Sequence, residues 1–347
     1  MATKQAAVKP EMRPVIAKVE PEGAITGGDL HIRGKNLALS GRPNVQLGGK
    51  PAHLVVASNS YIIARVPDSA TVGEVVVRSG AAASDPVGTH LGIQIADSLH
   101  PVANPAVDAV GNVYSTFSGS RGQKSPVSIY KIDTDYRSKP FVTDLMNPTG
   151  LAIDRDGILY VSSRYDGIVY QITATGNMSV FVEGMGVATG LAFDPEGNLY
   201  VGDRSGTIFK ISPSRQIYVF ATLEPSIAAY HLAFGPAGYL YVTGPTTSSF
   251  DSVYRISQSG EVETFYRGLG RPQGLAFDAE GRLYVAASLS GRRGIVRIGE
   301  SLTPEVFLSG PGIVGLAFSP SRSLIVATHN ALYRVDADIA GWPVFRN

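Results

Sequence analysis

The chain has 347 residues, 44% of them apolar and 17% charged, with 30 Lys and Arg against 29 Asp and Glu for a net charge of +1. It has no cysteine, which excludes disulfides, thiolate metal sites and cysteine nucleophiles. The balanced charge argues against a dedicated nucleic-acid binder, which ordinarily carries a basic excess, and no apolar run approaches the ~18 residues needed to cross a bilayer.

Residues 1–13 (MATKQAAVKPEMR) have no apolar core of the secretory type and read as a disordered tail. As the chain stands, this predicts a cytoplasmic protein without a membrane segment. Trimming of the N-terminus would open the extracytoplasmic alternative.

Residues 14–97 read as about seven short alternating strands, among them IAKV at 16–19, LHIR at 30–33 and EVVV at 74–77. Gly27-Gly28, Gly34, Gly48-Gly49 and Pro67-Asp68 separate them. Short β-branched runs between turn residues predict a β-sandwich. The run GGDLHIRGKNL at 27–37, with VEP at 19–21 before it and VQLGGKP at 45–51 after it, resembles the IPT/TIG family of Ig-like domains. That resemblance implies a packing or protein-binding module without catalysis.

From residue 98 to 347 one unit recurs six times. GLAID at 150–154 is followed by LYV at 159–161, GLAFD at 190–194 by LYV at 199–201, and GLAFD at 274–278 by LYV at 283–285. Weaker copies start at 105, 231 and 315. Anchor positions 108, 154, 194, 235, 278 and 319 are spaced by 46, 40, 41, 43 and 41 residues. Asp194-Pro195-Glu196-Gly197 has the residue preferences of a type I turn. Each copy continues into a third apolar run, such as VYQI at 169–172, and a fourth, such as SVFV at 179–182. Four short strands per ~40 residues predict a β-propeller, here with six blades. The fold class is therefore all-β, an Ig-like sandwich followed by a six-bladed propeller. Tyr333 to Pro343-Val344-Phe345 repeats the spacing of Tyr130 to Pro140-Phe141-Val142. This predicts that the C-terminus supplies the outer strand of the last blade and that Ile93–Ala96 stays with the sandwich.

The repeat resembles NHL-repeat and gluconolactonase-like six-bladed propellers. In the gluconolactonase-like family, the position two residues before Leu-Ala-Phe supplies the Glu, Asn and Asp that hold a divalent cation. Here that position reads Ala103, Thr149, Thr189, Tyr230, Gln273 and Val314. A hard cation needs several oxygen ligands with carboxylate charge, so the sequence predicts no metal, no cofactor and no catalytic residue. Four blades carry Gly at the next position, whereas blades 1 and 4 carry Asn104 and His231. Asn104, Thr149, Thr189, Tyr230, His231, Arg271 and Gln273 are the candidate ligand-binding residues, expected to form a polar cup at the channel mouth.

The second-to-third strand connections vary most, and the long ones cover 118–127, 243–252 and 286–294. Length variation on one face suggests where binding resides. Lys131, Lys210, Arg255, Arg297 and Arg334 share one repeat position and read as a solvated outer strand, and Arg292-Arg293 as a solvated loop tip. GPGIVG at 310–315 matches a dinucleotide fingerprint but opens no helix, so that function fails on context. These observations point to non-catalytic binding of a protein or small polar ligand at the loop-rich face. The alternative is a lactonase-like hydrolase acting in the channel. No nucleic-acid or membrane partner is expected.

Overall fold

The computed structural model describes residues 13–68, 70–120, 122–343 and 345. The tail expected over 1–13 lies outside those residues apart from Arg13. The chain divides between Leu91 and Gly92 into two compact units.

In the first unit, one antiparallel sheet has the order Val15–Glu20, Asp29–Lys35, Tyr61–Arg65, His53–Ala57. A second is built on Glu74–Ser79 and Asn44–Leu47, which pair antiparallel. The strands alternate as a half-buried strand must. Leu30, Ile32, Ile62 and Ala64 from the first sheet and Val45, Leu47, Val75 and Val77 from the second are all fully buried in one apolar cluster.

The second unit is a β-propeller of six antiparallel four-stranded blades. Their innermost strands are Ala106–Val107, Pro148–Ile153, Ala188–Phe193, His231–Phe234, Leu275–Phe277 and Ile313–Phe318. Each innermost strand packs against the next, and the sixth packs against the first, so the ring closes.

The repeated residues account for this geometry. The turn Asp closes its own loop: Gly197 N donates to Asp194 O at 3.1 Å, and Asn198 N to Asp194 Oδ1 at 2.7 Å. The second-strand Tyr then donates to the other carboxylate oxygen, at 3.2 Å for Tyr200 on Asp194 and 3.1 Å for Tyr284 on Asp278. The same Tyr ring joins neighbouring blades. Tyr160 meets Phe193, Tyr200 meets Phe234, Tyr241 meets Phe277 and Tyr284 meets Phe318, edge to face, with centroids 4.6–5.3 Å apart. Such pairs add about 0.5–1.5 kcal/mol beyond area burial. The Phe of Leu-Ala-Phe and the Tyr of Leu-Tyr-Val are thus the two halves of four of the six blade-to-blade joints.

The third-strand cations serve the blades. Lys210 lies 5.4 Å from the Tyr200 ring centroid, and Arg255 and Arg297 pair with Glu263 and Glu305 while sitting 4.9 Å over Tyr239 and Phe307.

Closure of the ring differs from the expectation. Ile93–Ala96 pairs antiparallel with Leu332–Val335 and is the outer strand of blade 6, with Ile93 opposite Arg334 and Gln94 opposite Tyr333. Ile95 and Ala96 are buried with Leu332 and Ile325 in one apolar cluster. Of the expected C-terminal strand, Val344 lies outside the described residues. The segment from Ile339 to Trp342 instead runs across the end of the propeller where the Asp turns lie: Ala279 N donates to Ala340 O at 2.8 Å and Trp342 N to Phe277 O at 2.9 Å.

Candidate functional site

The innermost strands begin at the end of the ring opposite the Asp turns, called the upper end here. A cavity of about 250 Å³ opens there. Thr149, Thr189 and Gln273 of the candidate set line it, and so do His100, Arg164, Arg204 and His329. Among the described residues no Asp or Glu lines it.

Arg164 and Arg204 follow the second strands of blades 2 and 3, each four residues after the repeat Tyr. Arg164 Nη2 donates to Gly119 O at 2.9 Å, and Arg204 Nη2 to Ile227 O at 3.0 Å. Both side chains are half-buried. The Arg204 Nε is buried with no partner among the described residues. Gly119 belongs to the longest variable loop. Asn147 pins that loop by donating to Gly119 O and Ser120 O, both at 3.0 Å, and accepting from Gly122 N at 2.8 Å.

Arg293 adds positive charge to this end. It is not the solvated tip expected but turns inward from the hairpin 286–294. It donates to Arg271 O at 3.0 Å, to Gln273 Oε1 at 2.6 Å and to Ile313 O at 2.5 Å. The hairpin is long enough for the chain to fold back over the ring, and three acceptors await the guanidinium there. Burial, with Arg271 nearby, pushes the Arg293 pKa down to about 10. His329 is also held below the ordinary imidazole value, first by burial and then by Arg293, His100 and Arg271.

The polar cup expected from the sequence is only partly assembled. Asn104 is drawn into the channel neck, where Nδ2 donates to Leu275 O at 2.8 Å and Oδ1 accepts from Leu316 N at 3.0 Å. Gly274 and Gly315 provide the space, because a Cβ on either would collide with Asn104. His231 is buried, 3% exposed, and its Nε2 has no partner among the described residues. Burial, followed by the charge of Arg293, pushes its pKa down to about 4. Tyr230 is buried too, its hydroxyl donating to Glu224 O. Arg271 is exposed, outside the cavity lining. His100, Arg164, Arg204 and His329 lie outside the third-strand positions and the positions flanking Leu-Ala-Phe, so those repeat positions do not single them out. The shared offset of Arg164 and Arg204 from Tyr160 and Tyr200 was the available signal.

The donor set does not fit the divalent cation of gluconolactonase-like propellers. Thr149 Oγ1 donates to Asn147 O at 3.2 Å, and Thr189 Oγ1 donates to Gly202 O at 2.8 Å while accepting from Tyr230 N. Gln273 Oε1 is taken by Arg293. The remaining oxygens are neutral and the surroundings cationic, the reverse of what a hard cation requires.

No known protein family and no curated protein matches the sequence. Solved structures do match in fold. A gluconolactonase from Xanthomonas campestris is 16% identical with a TM-score of 0.60, over 72% of this chain and 90% of that one. An auxiliary nutrient binding protein from Bacteroides thetaiotaomicron is 12% identical with a TM-score of 0.54, over 94% of this chain and 99% of that one. Virginiamycin B lyase from Staphylococcus aureus is 13% identical with a TM-score of 0.51, over 85% of this chain and 99% of that one. The neighbours are thus gluconolactonase-like β-propellers. At these identities they share the fold alone, and they carry both catalytic and binding functions.

Proposed function

We propose that the propeller unit binds a small anionic ligand at its upper end and does not convert it. The carrying observation is the cavity lined by Arg164, Arg204, His100 and His329 with no carboxylate among its described lining residues. Guanidinium groups bind carboxylate and phosphate through two parallel hydrogen bonds. The carbonyl anchors on Gly119 and Ile227 hold each positive charge in place before a ligand arrives. Preorganisation of that kind lowers the ordering cost of binding. Thr149, Thr189 and Gln273 complete a polar wall. The cavity volume suits a small molecule, somewhat below the usual ~300–1,000 Å³ of drug-sized sites.

The alternative, a lactonase-like hydrolase, is favoured by the fold shared with gluconolactonases. Against it stands a donor set unsuited to the cation that would activate water or polarise a lactone carbonyl. The N-terminal unit fits an IPT/TIG-like, Ig-like module, a packing or protein-binding companion to the propeller.

Thermal shift at low salt, with phosphate, sulfate, citrate, gluconate and neutral sugars, tests the reading. Anions should raise the melting temperature and neutral sugars should not. Stabilisation by neutral sugars alone, or turnover of a sugar lactone, would replace it.

A further inference from the structure

The opposite end of the channel holds a second, larger cavity of about 520 Å³. It shares no lining residue with the upper one. The Asn104 bridge between Leu275 and Leu316 narrows the channel above it. Below, the C-terminal segment crosses its mouth. Ile339 N donates to Arg322 O in blade 6 at 2.9 Å, the bonds of Ala340 and Trp342 tie the segment to blade 5, and the Phe345 ring reaches within 6.1 Å of Phe193 in blade 3. Gly341 lies so close to the sheet that a Cβ there would press on Phe318.

Apart from Asn104, Asp108, Ser319 and Arg322, the side chains of the lining are apolar. The central Ala of each Leu-Ala-Phe repeat leaves room at the axis, as at Ala233, Ala276 and Ala317, while Phe318, Trp342 and Phe345 supply aromatic faces. The charged groups at the rim are occupied. Arg322 binds Asp338, and Asp108 accepts from its own turn, from Val110 N at 3.0 Å and Asn112 N at 2.9 Å. Arg322 is thus charge-paired, while the Asp108 carboxylate keeps its charge but has both oxygens taken up by neutral donors, so neither group is free to bond a charged guest. Polar contact is still on offer, because each innermost strand is a sheet edge whose inward backbone groups are outside its ladder.

We propose that this chamber binds one uncharged, largely apolar ring molecule bearing one or two hydrogen-bonding groups, with the segment 338–343 as its lid. A mostly apolar wall with a few polar groups is the usual make-up of a small-molecule site, and the volume falls within the usual range. The site is separate from the anion cavity in place, chemistry and lining.

The full chain supplies its own reporter, because Trp342 is its only tryptophan. The probe is 1-aminoanthracene, an uncharged tricyclic amine at pH 7.5 that brightens on leaving water. We expect saturable binding of one equivalent, with Trp342 emission quenched in step. Ala276→Phe and Ala317→Phe, which fill the chamber, should weaken binding roughly tenfold or more, whereas Arg204→Ala should leave it unchanged. Unsaturable binding, or unchanged affinity in a folded filling variant, would overturn the proposal. If neither filling variant folds, Trp342→Ala decides: roughly tenfold weaker binding supports the chamber, and unchanged affinity refutes it.

Discussion

Arg164 and Arg204 are the same residue of the repeat in adjacent blades, and each guanidinium is anchored through Nη2 to one backbone carbonyl, of Gly119 and Ile227 respectively. One carbonyl belongs to a long variable loop and the other to the connection entering blade 4. Two loops of unrelated sequence thus hold two cations in related poses at the wall of one cavity. The chemistry of the upper end follows from this pair: a ligand placed there meets positive charge that the cavity wall does not itself offset.

Asn104 holds the neck of the ring. Its carboxamide bridges blades 5 and 6, donating to Leu275 O and accepting from Leu316 N. Asn104→Asp keeps the size but loses the donor and sets a carboxylate against a carbonyl. We expect a loss of about 2–4 kcal/mol in urea unfolding, and Asn104→Ala should cost somewhat less. Anion binding in the upper cavity should survive in whatever fraction remains folded.

His231 makes stability depend on pH. Its folded pKa is pushed down to about 4, while the unfolded imidazole titrates near ~6.5. Above the unfolded value both states are neutral and the group has no effect. As pH falls from ~6.5 to ~4 only the unfolded chain takes up the proton, so stability drops by roughly 1.4 kcal/mol for each pH unit. Below the folded value the loss levels off. Denaturant melts of the parent and of His231→Gln across pH 4–7 should differ in slope, the variant being the flatter. Parallel slopes would show that His231 is not the titrating group.

The ring is closed by Ile93–Ala96 on Leu332–Val335. Ile95 is 8% exposed and packs in the blade 6 cluster, so Ile95→Ala should cost about 2–4 kcal/mol. Phe345→Ala, beyond the lid, should cost under about 1 kcal/mol. Hydrogen exchange should find the Leu332–Val335 amides more labile in Ile95→Ala. Equal protection in the two variants would contradict the closure.

The six positions at the channel mouth should bind no divalent cation tightly. Calorimetric titration with Ca²⁺, Mg²⁺, Mn²⁺ and Zn²⁺ should show no stoichiometric heat. One bound ion per chain, displaced by Gln273→Ala, would mean that Arg293 yields its acceptor and would restore the hydrolase reading.

The blades were legible because the repeat encodes both of their joints, the Asp turn and the Tyr–Phe contact, at fixed offsets. The closing strand was not. Ile93–Ala96 lies far in sequence from its partner, and its four residues look like any sandwich strand, whereas the spacing from Tyr333 to Phe345 imitates a fourth strand. Among the site residues, Thr149, Thr189 and Gln273 were placed by repeat position alone. Asn104 and His231 departed from Gly at the right place, but whether a polar side chain faces a cavity or fills a neck depends on neighbours such as Gly274 and Gly315. Arg293 was unreadable for a similar reason, since a hairpin tip can point to water or fold inward.

The most direct test of the central claim is titration calorimetry at low salt with phosphate, citrate and gluconate, comparing the parent with the Arg164→Ala, Arg204→Ala double variant. A charge-assisted hydrogen bond contributes about 1.5–3 kcal/mol, so loss of both should weaken binding by roughly two orders of magnitude or more. Affinity in the parent should also fall as salt rises. One anion site is expected in the parent, lost in the double variant while its melting temperature is kept. Undiminished anion binding in the folded double variant, or no anion binding by the parent, would contradict it.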